Sequence, residues 1–173
     1  MSDPAPKPER QPRTAVYPGS FDPMTVGHLD ILERAVKIFD KVIVAVGQHP
    51  TKRGYFTVEE RVQLIRRSAE HLGDGFEAVS FSGLVIDFCR ARGAQLIVRG
   101  LRAVSDFEPE FQMGLANRDL HPEVETVFLI PRPDRMFVSS SLVREIASHG
   151  GDYQRYVSPA VAEAMKARSH KGS

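Results

Sequence analysis

The chain has 173 residues, of which 42% are hydrophobic and 26% charged, and its 23 Lys and Arg residues almost balance 22 Asp and Glu residues. This length suits one domain, and the composition is that of an ordinary globular protein. A formal net charge of +1 gives no general electrostatic attraction for nucleic acid. We therefore expect one fold unit with no nucleic acid partner.

The two ends of the chain are polar. Four of the 12 prolines fall within the first dozen residues, which predicts a disordered tail over residues 1–13 and a folded domain over 14–168. Residues 169–173 are predicted to fray. No apolar run approaches the ~20 residues of a membrane span, and residues 1–13 lack the hydrophobic segment of a signal peptide. With Cys89 as the only cysteine, predicted to be a core residue, these features indicate a cytoplasmic protein without a membrane partner.

Short β-branched runs alternate with segments of helical period between the tails. The predicted strands cover residues 14–17, 41–46, 77–81, 95–98 and 125–130. The predicted helices cover residues 27–39, 58–71, 84–92, 106–120, 140–148 and 159–168. This alternation predicts an α/β fold, a single-domain doubly wound parallel sheet. Because ligands bind such sheets beyond the carboxyl ends of the strands, the candidate site lies just after each predicted strand.

The first strand leads into a loop rich in Gly and Pro that ends at His28. Its sequence is Tyr17-Pro-Gly-Ser-Phe-Asp-Pro-Met-Thr-Val-Gly-His28, in which backbone N–H groups can approach a phosphate closely. His28 is predicted on the first turn of the next helix, at the positive end of the helix dipole, where a negative group is favoured. The alternative is a loop histidine in a generic strand-to-helix turn.

Cations follow the second and fourth predicted strands. Lys52 follows the second and can act as a point charge on a phosphate, although surface lysines are usually just solvated. Arg99 and Arg102 flank a Gly-Leu pair after the fourth, and arginine forks bind phosphate oxygens in bidentate geometry. The alternative is that these arginines pair with the acidic residues of segment 106–110. One of those acids can also do both, orienting an arginine while it contacts a ligand.

Three consecutive serines follow the fifth strand. Ser139, Ser140 and Ser141 stand at the start of a predicted helix, where hydroxyls, free backbone N–H groups and the helix dipole together favour a phosphate. One serine is enough to cap a helix, so three in succession exceed that need. Together with the other strand ends, they predict that two anionic reactants bind at one rim of the sheet.

Two of these segments resemble the signatures of the nucleotidylyltransferase superfamily. Residues 19–28 resemble its T/H-x-G-H signature, and residues 138–144 resemble I-S-S-S/T-x-x-R. Four further segments are similar to bacterial phosphopantetheine adenylyltransferases: residues 17–23, 50–52, 56–61 and 99–110. The similarity runs from about residue 14 to about residue 166, and it implies a Rossmann-like nucleotidylyltransferase fold.

The resemblance implies transfer of AMP from ATP to 4′-phosphopantetheine, which gives dephospho-coenzyme A and pyrophosphate, with Mg²⁺ as cofactor. A phosphate monoester is largely dianionic at pH 7, so in-line attack needs neither a general base nor a covalent intermediate. The resemblance further implies a homohexamer that coenzyme A inhibits. Alternatives are CTP as donor, nicotinate mononucleotide or glycerol phosphate as acceptor, or a non-catalytic adenine-nucleotide sensor. An NAD-dependent dehydrogenase is disfavoured because no G-x-G-x-x-G follows the first strand.

Individual positions match the functional residues of the family, which implies their roles here. The catalytic matches are His28, Lys52 and Arg99, with His28 stabilising the transition state. The phosphopantetheine contacts match Ser20, Lys52, Val85 and Arg99. The ATP contacts match Ser20, Phe21, His28, Gly100, Leu101, Arg102, Glu110, Arg135, Met136, Phe137, Val138, Ser139, Ser140 and Ser141. No position matches a protein ligand of the metal. Pro109 and Arg135 stand where aromatic residues are common in the family, so adenine packing is not carried over.

Overall fold

Strands and helices alternate along the described part of the chain up to residue 148, and one more helix follows without a strand before it, as the sequence predicts. The computed structural model describes residues 12–48 and 54–169, with the side chain of Ser105 excepted. The strands in these ranges are β1 (Thr14–Gly19), β2 (Lys41–Gly47), β3 (Phe76–Phe81), β4 (Leu96–Gly100) and β5 (Glu125–Leu129). The helices are α1 (Val26–Ile38), α2 (Val58–Ser68), α3 (Val85–Ala91), α4 (Val104–Leu120), α5 (Ser140–Ser148) and α6 (Pro159–Ser169). Short 3-10 turns cover Glu70–Gly75, Pro133–Arg135 and Gln154–Tyr156.

Helix α2 is shorter than predicted. It ends at Ser68, where residues 58–71 were expected to be helical, and Glu70–Gly75 form 3-10 turns instead. Gly73 interrupts these turns with a φ of 55°, in the left-handed region that glycine adopts without steric cost. The chain therefore leaves the helix early and reverses into β3.

The five strands form one parallel sheet in the order β3-β2-β1-β4-β5, which confirms the predicted doubly wound architecture. β1 lies in the centre and pairs with β2 on one edge and with β4 on the other. The direction of the crossovers reverses between β1 and β4. A crevice opens at such a reversal beyond the carboxyl ends of the strands, and there the first strand leads into the loop before α1.

Apolar residues pack on both faces of the sheet. Along β1, Tyr17 faces the side that carries α1 and α2, where it packs in a cluster with Leu32 and Ile65. Val16 faces the opposite side and packs with Ile86 of α3. Cys89 is fully buried in this second cluster, as predicted, and burial raises the pKa of its thiol to about 11.

The helices within the described residues pack against the sheet or against one another. Among them, none combines the length and the hydropathy that a membrane crossing requires. The third apolar cluster joins α2, α5 and α6 and includes Leu64, Val143 and Met165. It attaches the C-terminal helices beside the rim at which α5 begins.

Candidate active site

A cavity of about 370 Å³ opens at the carboxyl ends of β1 and β4, where the strand order reverses. Its walls come from the loop between β1 and α1, the start of α1, the end of β4, the first half of α4 and the start of α5. His28 and the three serines at 139–141 line this same cavity. Residues far apart in the sequence therefore converge on one rim of the sheet, which is the arrangement that the predicted chemistry needs.

The structure brings many of the predicted site residues together. Those that line the cavity are Ser20, Phe21, His28, Arg99, Gly100, Arg102, Glu110, Val138, Ser139, Ser140 and Ser141. Val85 lines a smaller adjoining cavity, of about 200 Å³, that also contacts Arg99 and Glu110. Leu101 and Met136 are not among the residues that line either cavity. Lys52 lies outside the described residues. The individual roles of all these residues stay predictions.

Arg135 and Phe137 line a separate hollow rather than the main cavity. The guanidinium of Arg135 donates to the carbonyl oxygen of Val26 at 3.3 Å and lies 3.8 Å from the carboxylate of Asp30. Asp30 is buried and also accepts the backbone N–H of Arg132 at 3.1 Å. In this structure Arg135 therefore attaches the segment before α5 to the start of α1.

His28 is held by the cap of α1. Thr25 is the N-cap residue, and its hydroxyl oxygen accepts the backbone N–H of His28 at 3.4 Å. The ring Nδ1 of His28 in return accepts the backbone N–H of Thr25 at 3.1 Å. This is a capping box in which an imidazole takes the place of the usual carboxylate. Because Nδ1 accepts, the proton of the neutral ring lies on Nε2.

The imidazole of His28 is neutral at physiological pH. Burial, followed by the positive charges of Arg102 and Arg99, lowers its pKa from 6.5 to about 4. A neutral ring with its proton on Nε2 cannot serve as a strong acid, but it can donate a hydrogen bond. Such a preorganised donor suits charge that develops on a phosphate oxygen.

The lowered pKa of His28 predicts how the stability of the fold depends on pH. The folded chain resists protonating this ring between pH 6.5 and about 4, whereas the unfolded chain accepts the proton, so the stability that His28 contributes declines as pH falls through this interval. Long-range ¹H–¹⁵N spectra should show one imidazole that keeps the Nε2–H tautomer down to about pH 4. The signal should vanish in His28→Asn. A His28 signal that titrates near 6.5 would contradict the assignment.

Arg99 and Glu110 form a bidentate ion pair in the cavity wall. The guanidinium Nε of Arg99 donates to Oε2 of Glu110 at 2.7 Å, and Nη2 donates to Oε1. Nη1 donates to the carbonyl oxygen of Pro18 at 2.8 Å. Burial acts against the charge of Arg99, but the hydrogen bond and charge of Glu110 outweigh it and raise the pKa of Arg99. The guanidinium is therefore oriented before any ligand binds.

Arg102 is paired in a similar way. Its Nε donates to Oδ2 of Asp106 at 3.2 Å, and its Nη1 donates to the carbonyl oxygen of Val138 at 3.5 Å. Asp106 lines the cavity with Arg102, as Glu110 does with Arg99. Each of the two arginines therefore pairs with a downstream acid, as one of the two alternatives expects, and both also line the cavity. Their contact with a phosphate stays a prediction.

The three serine hydroxyls all have protein partners. Ser139 caps α5 by accepting the N–H of Leu142 at 3.1 Å, and Ser140 donates to the carbonyl oxygen of Pro23 at 2.8 Å. The Ser141 hydroxyl accepts from Arg144 at 3.2 Å. The Ser140 hydroxyl thus joins α5 to the loop before α1, whereas the Ser141 hydroxyl bonds within α5. The backbone N–H groups of the first turn of α5 have no partner within the helix, and apart from that of Leu142, which donates to Ser139, they are the donors this helix offers to an anion.

Several cavity residues were not predicted as contacts, and the sequence carried a signal for two of them. Thr25 stands three residues before His28, which is the spacing of a capping box. Arg144 ends the second signature, and it donates to the carbonyl oxygen of Asp22. Tyr17, Ile31 and Pro131 also line the cavity, although their residue types indicate only a core or a turn.

Comparisons with known proteins agree with this geometry. The profile of the cytidylyltransferase-like family matches residues 16–146, which gives the class of the protein. A phosphopantetheine adenylyltransferase from Heliobacterium modesticaldum is 58% identical over 151 residues, which is 87% of this chain and 89% of that protein. The chain belongs to the phosphopantetheine adenylyltransferases within the cytidylyltransferase-like family.

The fold has a more distant solved relative. A crystal structure of a Vibrio parahaemolyticus protein, assigned as a nicotinate-nucleotide adenylyltransferase, superposes with a TM-score of 0.67. The match covers 89% of this chain and 98% of that chain. Since the identity is 16%, this likeness is one of fold alone.

Proposed function

We propose that this chain transfers AMP from ATP to 4′-phosphopantetheine and forms dephospho-coenzyme A and pyrophosphate. The observation that carries the proposal is the single cavity in which a neutral histidine donor, two oriented arginines and a helix N-terminus face one another. Such a cavity suits two anionic reactants, and the relative from H. modesticaldum bears the name of this activity.

The reaction needs positioning and charge stabilisation rather than a base. An oxygen of the acceptor phosphate, already dianionic, attacks the α-phosphorus of ATP in line with the leaving group. The new phosphorus–oxygen bond forms as the bond to the β-phosphate breaks, and pyrophosphate leaves with the electron pair. His28 donates from Nε2 to an α-phosphate oxygen, Arg99 with Lys52 holds the acceptor, and the N-terminus of α5 binds the leaving group.

The adjoining cavity supports 4′-phosphopantetheine as the acceptor. Its lining includes Arg99 together with Val85, Ile97 and Met113, so a guanidinium and apolar side chains share one mainly apolar hollow. Pantetheine is a long, narrow chain attached to a phosphate, which matches this arrangement. Nicotinate mononucleotide would instead place a charged ring in it.

Magnesium enters this proposal with the nucleotide. Among the described residues no group of three His, Cys, Asp or Glu side chains could hold a metal ion. The cavity carboxylates Asp106 and Glu110 each pair with an arginine. This donor set fits Mg²⁺ that is held chiefly by nucleotide phosphates and water, the usual mode for this ion. Bound there, Mg²⁺ would neutralise phosphate charge.

We also propose a homohexamer, inhibition by coenzyme A and a cytoplasmic location. Helix α4 supports the assembly, because Val104 is 92% exposed and the stacked rings of Phe107 and Phe111 are about half exposed. Apolar surface of this kind marks protein contacts.

The proposed location and assembly have separate support. The buried free thiol of Cys89 is consistent with a reducing compartment. Light scattering should give six times the 19.3 kDa chain mass, and a monomer would contradict the assembly.

An acceptor panel tests the proposed reaction. ATP is offered with 4′-phosphopantetheine, nicotinate mononucleotide or glycerol phosphate in parallel, and pyrophosphate release is measured. We expect turnover with 4′-phosphopantetheine alone, and CTP should not replace ATP. Preference for another acceptor would make the chain a different nucleotidylyltransferase. Nucleotide binding without pyrophosphate release from any pair would make it a sensor.

A further inference from the structure

Asp22, within the loop before α1, is buried and bonded to a distant segment of backbone. Its carboxylate accepts the backbone N–H of Tyr55 at 2.7 Å and that of Phe56 at 2.8 Å. The residue is 8% exposed and does not line the cavity. The proposed reaction leaves this aspartate without a role, although it lies two residues from Ser20.

Arg61 of α2 completes the connection. It is also 8% exposed, its Nε donates to the carbonyl oxygen of Phe56 at 2.9 Å, and the same atom lies 3.6 Å from Asp22 Oδ1. Its Nη1 donates to the carbonyl oxygen of Ser20 at 3.2 Å. A buried guanidinium is costly unless it is paired and hydrogen-bonded, and here each contact links α2 to the loop or to its partner segment.

Gly54 leaves room for this guanidinium. A Cβ atom at residue 54 would lie 2.2 Å from Nη2 of Arg61 and 2.7 Å from the carbonyl oxygen of Phe56. Both distances are far below van der Waals contact, so a side chain at this position would displace Arg61. Three positions that are separated in the sequence thus contribute to one buried contact: Asp22 and Arg61 form it, and Gly54 leaves the space for it.

The other end of the loop is held from α5. Arg144 donates to the carbonyl oxygen of Asp22, and the Ser140 hydroxyl donates to that of Pro23 at 2.8 Å. The loop is therefore held by α2 on one side and α5 on the other. Phe21 lies between the attached residues Ser20 and Asp22, and both Ser20 and Phe21 line the cavity.

We propose that Arg61, paired with Asp22, is a positioning residue for the phosphate-binding loop. It acts through the Ser20 carbonyl, holding the loop in register with the His28 donor, and it does not touch the reactants. The inference rests on the proposed adenylyl transfer. It assigns a task to Asp22, which lies within the segment that resembles the first superfamily signature, and to the Glu-Glu-Arg61 segment, which lies outside both signatures.

Arg61→Lys tests the proposal because it keeps a cation beside Asp22 and loses the fork that spans two carbonyl oxygens. Misplacement by ~1 Å can cost about 100-fold in rate, so we expect kcat to fall about 10- to 100-fold, with a smaller change in the KM for ATP. Arg66→Lys is the matched control, since Arg66 lies on the same helix and donates to the carbonyl oxygen of Ala78 on β3 at 2.8 Å. Gly54→Ala should behave like Arg61→Lys.

Two further measurements separate positioning from stability and from the proposed function. Thermal unfolding should show Arg61→Lys and Arg66→Lys folded at the assay temperature. The ring resonances of His28 should shift in Arg61→Lys and stay in place in Arg66→Lys, whatever the acceptor. If the wild type turns over no acceptor, the proposed function fails. The His28 resonances then still show whether Arg61 positions the loop. Unchanged kcat and resonances in Arg61→Lys, equal losses in both variants, or failure of Arg61→Lys to fold would each overturn the inference.

Discussion

Replacing His28 with Ala should lower kcat for adenylyl transfer about 100- to 1000-fold, the usual cost of removing one preorganised donor to a transition state. The KM for ATP should change little, because the arginines and the start of α5 still bind the phosphates. The measurement is pyrophosphate release at saturating ATP and 4′-phosphopantetheine. Near-normal turnover in this variant would remove His28 from the mechanism.

The cap of α1 requires a control for this experiment, since His28 also accepts the N–H of Thr25. Asn at position 28 can supply an acceptor near the Nδ1 position but has no donor at the place of Nε2. His28→Asn should therefore lose as much kcat as His28→Ala while keeping more of the wild-type stability. His149→Ala, at the exposed end of α5, should leave kcat unchanged. If stability and kcat fell in proportion across the series, the histidine would be structural.

Replacing Arg99 with Ala should raise the KM for 4′-phosphopantetheine about 10- to 100-fold. The estimate takes ~1.5–3 kcal/mol for a charge-assisted hydrogen bond and tenfold for each ~1.4 kcal/mol. Loss of Arg99 also leaves the Glu110 carboxylate unpaired in the cavity wall, where it would repel the acceptor phosphate. Initial rates at varied acceptor and saturating ATP give the KM.

Two variants separate the charge of Arg99 from its geometry. Arg99→Lys keeps the charge and loses the bidentate pair with Glu110, so its KM should lie between those of the wild type and Arg99→Ala. Arg99→Ala with Glu110→Gln removes the unpaired carboxylate and should recover part of the loss. An acceptor KM that stays unchanged in Arg99→Ala would count against its assignment to the phosphate. Arg90→Ala, on the exposed face of α3, is the surface control.

The sheet was predictable because each of its strands is a short apolar run bounded by glycine, proline or charge. β2 is apolar from Val42 to Val46, as a strand buried on both faces should be. The end of β4 was less predictable, since a charged Arg99 after Val98 indicates a loop. In the structure Arg99 stays in the strand, paired with Phe128 of β5, because Glu110 compensates its charge.

The site was predictable only where a residue type and its place at a strand end both indicate phosphate. His28, Arg99, Arg102 and the start of α5 meet both conditions, and all of them line the cavity. The sequence did not predict the ion pair between Arg135 and the buried Asp30, because an aspartate within a predicted helix is normally expected on its exposed surface. Nor could it predict the contact between Arg61 and Ser20, since a basic residue within a helix normally remains in water.

The central position of β1 has a consequence for how the chain acquires activity during synthesis. The N-terminal half can pair β1, β2 and β3 by itself, but the other edge of β1 remains open until β4 and β5 emerge. An open strand edge is a site of aggregation, so a growing chain is most vulnerable in this interval. Because the residues that line the cavity extend as far along the chain as Arg144, a nascent chain has no complete cavity until the segment up to residue 144 has left the ribosome.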